Sequence, residues 1–385
     1  MKQPSYLLSA QDILAKYKYP EPFHVFLKAQ FKEHKKFGSR DRKIISALLF
    51  GYFRLGQQAQ LKAVDAMKIG AFVATELSEK LYQQFFEFGA AQYVLPLQEK
   101  LNWLHSQGID LQEKEIPELS QGILLDEYLN DIAHPHHTFI RIRKNKKSII
   151  DALHKKEIAF EEIAENIIGF PESVNLKEIL TQQQDYTVQD ASSAMVTNFF
   201  TAKKGDKVWD CCAASGGKSI AMYDACNGIE LFVSDIRYQI LETLKERFKH
   251  YDIKKYHAFP HNAQVPAPYA NNNMPHGSFD SIICDAPCTG SGTWSRSPEQ
   301  YYFLPDTDVD FYADRQKDIL ENTWPFLKNG GTFYYITCSA FAAENEEVIS
   351  AFLDKHADAE VMNMQLINGI DKKADTMFVA VLMKG

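Results

Sequence analysis

From Tyr186 to its end, the chain alternates short apolar runs, small-residue loops and amphipathic stretches, and this alternation limits the fold more than any other feature. Val208-Trp209-Asp210-Cys211 is a short buried strand by pattern. A glycine-rich turn follows, then a helix over Lys218 to Ala225. Leu231 to Asp235 repeats the strand, Tyr238 to Lys249 the helix, and Tyr256 to Phe259 a weaker strand. Ser281 to Asp285 and Thr332 to Thr337 are further strands, flanked by helices over Gln316 to Leu327 and Glu344 to Lys355, and Phe378 to Leu382 closes the series. Strand and helix in strict turn predict an α/β, doubly wound, mostly parallel sheet with helices on both faces.

The first part of the chain has a different texture. Ile44, Ile45, Leu48, Leu49, Tyr52 and Phe53 recur at helical spacing after Gly38-Ser39. Ser39 is expected to cap that helix, and Asp41 suits its first turn. Leu61 to Met67 and Glu76 to Phe88 are also helical in pattern. Near His134-Pro135-His136-His137 the texture shifts again. Thr138 to Arg143 alternates as a strand does, Ser148 to Ala164 is expected to be helical, and Gly169-Phe170-Pro171 is expected to break the chain. The expected organisation is an all-α domain over 1–133, a small α/β domain over 134–185 and the doubly wound domain over 186–385.

Composition narrows the function classes. An apolar share of 45% with 24% charged residues excludes a disordered chain. The longest strongly apolar run, Ile44 to Phe53, is too short to cross a bilayer. Met1-Lys2-Gln3-Pro4-Ser5 does not open a secretory signal, and six cysteines in 385 residues, five of them between Cys211 and Cys288, do not form a disulfide framework. A cytoplasmic protein with reduced thiols and no membrane partner is expected. The net charge of −8 falls entirely on residues 186–385. Within the neutral first part, Lys28 to Lys43 carries net +5 and Arg141 to Lys156 net +6. Such blocks can contact phosphates, or can simply be solvated faces. The histidines at 134, 136 and 137 flank a proline without a matching ligand cluster, so no metal is expected there.

Two constellations carry chemistry. The stretch Asp210-Cys211-Cys212-Ala213-Ala214-Ser215-Gly216-Gly217-Lys218-Ser219 joins a strand to a helix, where small residues and a helix N-terminus let a ligand approach the backbone. Gly217-Lys218-Ser219 fits the end of a phosphate-binding loop, but Cys212 occupies the position of its first glycine, and the dinucleotide fingerprint G-x-G-x-x-G is absent as well. What remains is a nucleoside-binding first turn, with Asp235 ending the next strand where an acidic residue hydrogen-bonds a ribose. Asp285-Ala286-Pro287-Cys288-Thr289-Gly290-Ser291-Gly292 and Tyr335-Ile336-Thr337-Cys338-Ser339 end two further strands. Both place a cysteine at the carboxyl edge of the sheet. Buried cysteine is commonly inert packing, but two converging on one crevice are harder to explain that way. Cys284 to Cys288 lacks the second pair a zinc site needs.

These motifs, with Val188 to Ser193, Asp235, Arg237 and the Asp375 to Phe378 segment, make residues 186–385 resemble the Sun/Nop family of S-adenosylmethionine-dependent RNA cytosine-5 methyltransferases. Gly38 to Arg42 before an apolar helix resembles the NusB-like RNA-binding domain of the RsmB-like bacterial members, and Arg141 resembles the arginine of the small domain before the catalytic one. The resemblance implies a Rossmann-like methyltransferase domain, an N-terminal all-α NusB-like domain and a small α/β domain between them. It implies S-adenosylmethionine held by Cys212, Ala213, Ala214, Ser215, Gly216, Gly217, Lys218, Asp235, Arg237, Asn262 and Asp285. Ser215 stands where the family usually has proline, and Asn262 where it usually has aspartate near the adenine. The implied nucleophile is Cys338, with Cys288 resolving the adduct and Asp285 holding the cytosine amino edge. Carbon 5 of cytosine needs such help, because it is nucleophilic only after a thiolate has added to carbon 6. The implied partner is RNA, most directly small-subunit ribosomal RNA, bound by a monomer without metal. A transfer RNA enzyme and a non-catalytic RNA-binding assembly factor are the alternatives. The intact cysteines weigh against the second.

Overall fold

In the computed structural model, which describes residues 5–112, 114–171, 174–265, 275–304 and 308–385, the alternation after residue 186 becomes a seven-stranded sheet. The strands, in chain order, are β1 Thr138–Ile142, β2 Glu161–Ala164, β3 Ile167–Phe170, β4 Tyr186–Val188, β5 Lys207–Asp210, β6 Glu230–Asp235, β7 Tyr256–Pro260, β8 Phe279–Asp285, β9 Leu327–Thr337, β10 Ala359–Ile367 and β11 Met377–Lys384. The large sheet runs β10-β11-β9-β8-β5-β6-β7. Its neighbours from β7 to β9 pair in parallel, while β11 pairs antiparallel with both β9 and β10. The chain leaves β5 toward β6 and returns on the other side as β8, so the strand order reverses between β5 and β8. Open sheets of this kind bind ligands in the crevice at that reversal.

Alternate residues of the central strands face opposite layers. Val208, Leu231, Val233 and Ile283 pack with Ile220, Leu241, Leu244 and Phe248 of helices Gly217–Ala225 and Tyr238–His250. Trp209, Ile282, Phe333 and Tyr335 pack with Ile319, Leu320, Val348 and Phe352 of helices Asp308–Thr323 and Glu346–Leu353. Burial on both faces explains why these strands are continuous apolar runs in the sequence. The doubly wound α/β expectation holds.

The described chain forms two compact units. The first comprises Met1–Pro117, Leu124–His136 and Thr293–Pro305; the second comprises Glu118–Ile123, His137–Gly292 and Asp306–Gly385. The first is helical, with Leu7, Phe23, Leu48, Phe53, Phe72 and Tyr93 in its core. Helix Pro298–Phe303 belongs to this unit, although its sequence lies between β8 and β9, and Glu299 Oε1 accepts the Phe23 amide at 3.0 Å. Helix Ser39–Arg54 begins one residue earlier than Ser39 capping requires. Gly38 is the cap residue, and its amide donates to Asp41 Oδ2 at 2.8 Å. Among the described residues no helix is long and apolar enough to cross a membrane.

In the second unit a small antiparallel sheet, β2-β3-β1-β4, precedes the large one. Two expectations fail here. The helix predicted over Ser148 to Ala164 runs over Lys146–Lys155 and stops, because Glu157 takes a positive φ of 54° and the chain turns into β2. Gly169 does not break the chain. It lies within β3, paired to Phe139 on one side and Glu161 on the other.

Candidate functional site

Every residue of the site sits at the carboxyl edge of the large sheet, in the second unit. The first wall is the loop after β5. Ala214 has a φ of 45° and Gly216 a φ of 83°. A Cβ on Gly216 would come within 2.9 Å of the Phe248 ring, so only glycine fits beneath helix Tyr238–His250. Ser215, at the expected proline position, is held instead by Arg247, whose Nη1 donates to Ser215 O at 2.7 Å and Ser215 Oγ at 2.8 Å.

Asp235, at the end of β6, braces this loop. Its Oδ2 accepts the Ala214 amide at 3.0 Å, and its Oδ1 accepts the Arg237 amide at 2.9 Å and Arg237 Nε at 3.0 Å. Burial opposes ionisation of Asp235, but these donors outweigh it and hold the carboxyl below the ordinary aspartate range. Asn262 follows β7, and its Oδ1 accepts the Gln264 amide at 3.1 Å.

Asp210, the last residue of β5, opens the motif in the sequence but was given no role there. It is 1% exposed. Ser219 Oγ donates to its Oδ2 at 2.5 Å, while Oδ1 is buried with no hydrogen-bond partner among the described residues. Burial pushes the carboxyl up to about 8, with Asp285 and Cys212 adding to the rise and Ser219 and Lys218 opposing it. Lys218, in the first turn of the following helix, reaches across the crevice. Its Nζ donates to Ser193 Oγ at 2.8 Å and to Asp285 Oδ2 at 3.2 Å. The loop and the Asp285 motif are thus tied to each other although 67 residues separate them.

The second wall carries the two cysteines. β8 and β9 are parallel neighbours, with Asp285 opposite Ile336, so the loops leaving them lie side by side. Cys288 Sγ lies 3.3 Å from Cys338 Sγ. The Gly292 amide donates to Cys338 O at 2.9 Å, and a Cβ on Gly292 would meet Thr376 O at 2.1 Å, so this approach also demands glycine. The hydrogen bond with Cys338, burial, and the charges of Cys338 and Glu344 together push the Cys288 thiol well above the ordinary cysteine range.

Three sulfurs, of Cys211, Cys212 and Cys284, lie within 4.8 Å of one another, a grouping with metal-ligand geometry. Their spacing hides it in the sequence: two are adjacent in the loop after β5 and the third comes from β8. At the histidine cluster, His134 Nδ1 lies 2.7 Å from Asn130 O, and His136 Nε2 lies 2.8 Å from Asp131 Oδ1. The second basic block is only partly a surface. Arg141 and Arg143 are largely buried and both bind Asp224 at 2.7 Å, whereas all seven basic side chains between Lys28 and Lys43 are exposed.

Residues 197–382 match the family described as 16S rRNA methyltransferase RsmB/F. Ribosomal RNA small subunit methyltransferase B of Serratia proteamaculans (strain 568) is 34% identical over 180 residues, covering 46% of this chain and 40% of that protein. The chain thus matches about two fifths of the length of this curated relative. Among solved structures, that of PH0851 aligns over 100% of both chains with a TM-score of 0.72 and 18% identity. A methyltransferase homolog protein from Pyrococcus horikoshii aligns over 67% of this chain and 90% of its own, with a TM-score of 0.57 and 23% identity. At these identities the two structures are similar to this chain in fold.

Proposed function

We propose, from the match of residues 197–382 to the family described as 16S rRNA methyltransferase RsmB/F, that this chain belongs to that family and methylates carbon 5 of a cytosine in small-subunit ribosomal RNA through a covalent adduct on Cys338. The observation that carries the reading is the 3.3 Å approach of Cys288 and Cys338 at the edge of adjacent strands, beside the loop that Asp235 braces.

S-adenosylmethionine, when bound, supplies an electrophilic methyl group. The residues fit such a ligand. Asp235 ends its strand where a ribose is gripped, and the open space beside Gly217 admits a ligand to the backbone. The Asp210 Oδ1, buried without a hydrogen-bond partner among the described residues, suits an amine. Cys212, Ala213, Ala214, Ser215, Gly216, Gly217 and Lys218 form the rest of this cradle, with Arg237 fixing Asp235 and Asn262 facing the base.

Cys338, as the thiolate, adds its sulfur to carbon 6 of cytosine. The displaced ring electrons make carbon 5 the nucleophile that takes the methyl group. Asp285, held by Lys218, binds the exocyclic amino edge. Release needs the carbon 5 proton removed, so that its electron pair re-forms the ring double bond as the carbon 6–sulfur bond breaks and Cys338 leaves as thiolate. We assign this step to Cys288, whose thiolate takes the carbon 5 proton and becomes the thiol. The exposed cations between Lys28 and Lys43 bind the RNA backbone, and the enzyme works as a cytoplasmic monomer.

The test is transfer of isotope-labelled methyl from S-adenosylmethionine to small-subunit ribosomal RNA lacking this modification, followed by bisulfite sequencing. One protected cytosine is expected. No label in RNA from a folded chain that binds the cofactor overturns the reading.

A further inference from the structure

Glu344 is 0% exposed and touches both cysteine loops. Thr289, the residue after Cys288, donates to it twice, through its amide to Oε1 at 2.9 Å and through its hydroxyl to Oε2 at 2.5 Å. Ser339, the residue after Cys338, donates its hydroxyl to Oε2 at 2.5 Å. Gln316 Nε2 completes the set on Oε1 at 3.0 Å, and also donates to Pro287 O at 3.0 Å, just before Cys288. All four acceptor directions of one carboxylate are therefore filled, three of them by the residues adjoining the two thiols. Asn345 extends the brace. Its Oδ1 accepts Thr337 Oγ1 at 2.5 Å and its Nδ2 donates to Ser339 O at 2.9 Å, so it grips both residues that flank Cys338.

Burying a carboxylate is costly, and an apolar side chain of similar size generally packs a core as well or better. Burial raises the Glu344 pKa in spite of its four donors. A group kept at that cost, filled entirely by two loops that must hold their thiols in contact, is explained by the geometry it imposes. We propose that Glu344 is a positioning residue, whose single carboxylate spans the loops after Cys288 and Cys338 and fixes the separation of the two sulfurs. The inference deepens the methyl-transfer reading and rests on it for its purpose: adduct formation by one thiol and resolution by the other both require that separation.

Dibromobimane tests it without RNA. Each thiolate displaces one bromide from the reagent, and the double alkylation cross-links only sulfurs that lie close together. In the full chain, the cross-linked Cys288 and Cys338 peptides are counted by mass spectrometry, with Cys288→Ala as the blank. Glu344→Ala is expected to slow this cross-link by roughly tenfold or more, while cofactor affinity stays within about twofold, because positioning and not cofactor binding is lost. Glu344→Gln keeps the volume and one full acceptor oxygen, and the two hydroxyls can turn to accept from its amide, so it is expected to stay within about threefold of the parent. In turnover, Glu344→Ala lowers kcat and leaves the cofactor KM in place. Should Glu344→Ala not fold, Thr289→Val and Ser339→Ala each free one loop and are each expected to slow the cross-link. Parent cross-linking rates in folded Glu344→Ala, or in both single-loop variants, overturn the proposal. A parent chain that cross-links normally but methylates no RNA overturns the methyl-transfer reading alone.

Discussion

Cys288 Sγ lies 3.3 Å from Cys338 Sγ, across fifty residues of chain. Parallel pairing of β8 with β9 delivers the two loops, and Gly292 lets them close on each other. The hydrogen bond, burial and the neighbouring charges push the Cys288 thiol well above the ordinary cysteine range.

Asp235 carries the cofactor prediction. Its carboxylate organises the Ala214 amide and Arg237, and in the proposed complex it takes a ribose hydroxyl. Asp235→Ala is expected to weaken S-adenosylmethionine binding by roughly 1.5–3 kcal/mol, the worth of hydrogen bonds to a charged group. Titration calorimetry checks this. Unaltered affinity in a folded variant removes Asp235 from the cofactor site.

Asp210 predicts a pH dependence of stability. Its pKa in the fold, about 8, lies above its ordinary 3.8, so between those values the folded chain holds a proton that the unfolded chain has lost. The resulting stability is fully present below the ordinary value and declines as pH rises toward 8. Asp210→Asn removes the titration. Thermal melts from pH 4 to pH 9 are expected to show the parent losing ground to the variant across that window. A constant difference contradicts the assignment.

The helical unit predicts a salt effect. Lys35, Lys36, Arg40 and Arg42 are exposed, and Arg40 and Arg42 stand over the rings of Phe85 and Phe31. Reversing all four to glutamate is expected to weaken RNA binding. It should also flatten the slope of log K against log salt by about 0.7 for each single-strand phosphate that is no longer neutralised. The same slope in parent and variant identifies the block as a solvated face.

What the sequence made legible follows from where each residue is buried. β5, β6, β8 and β9 are covered on both sides and read as apolar runs, so the sheet and its loops were expected in the right places. β10 was missed because, among the described residues, it is an edge strand paired with β11 alone. Most of its side chains are exposed, so no apolar alternation marks it. Helix Pro298–Phe303 was missed because it serves the helical unit from inside the other unit's stretch of sequence. The motif residues could be named from spacing, but their partners could not. Lys218 meets Asp285, and Glu344 meets Thr289, only through strand adjacency that has no local signature. Glu344 reads in sequence as nothing more than the start of a helix. Asp210 reads as an ordinary strand end until its burial is seen.

The central claim is that Cys338 attacks and Cys288 resolves. It is tested most directly by looking for protein–RNA adducts on a denaturing gel, with parent, Cys338→Ala, Cys288→Ala and the double variant each incubated with S-adenosylmethionine and small-subunit ribosomal RNA. Cys288→Ala is expected to accumulate a denaturation-resistant band joined through Cys338. Cys338→Ala and the double variant are expected to show none, and all are expected to retain cofactor binding. An adduct that persists in Cys338→Ala and vanishes in Cys288→Ala contradicts the account and reverses the two roles.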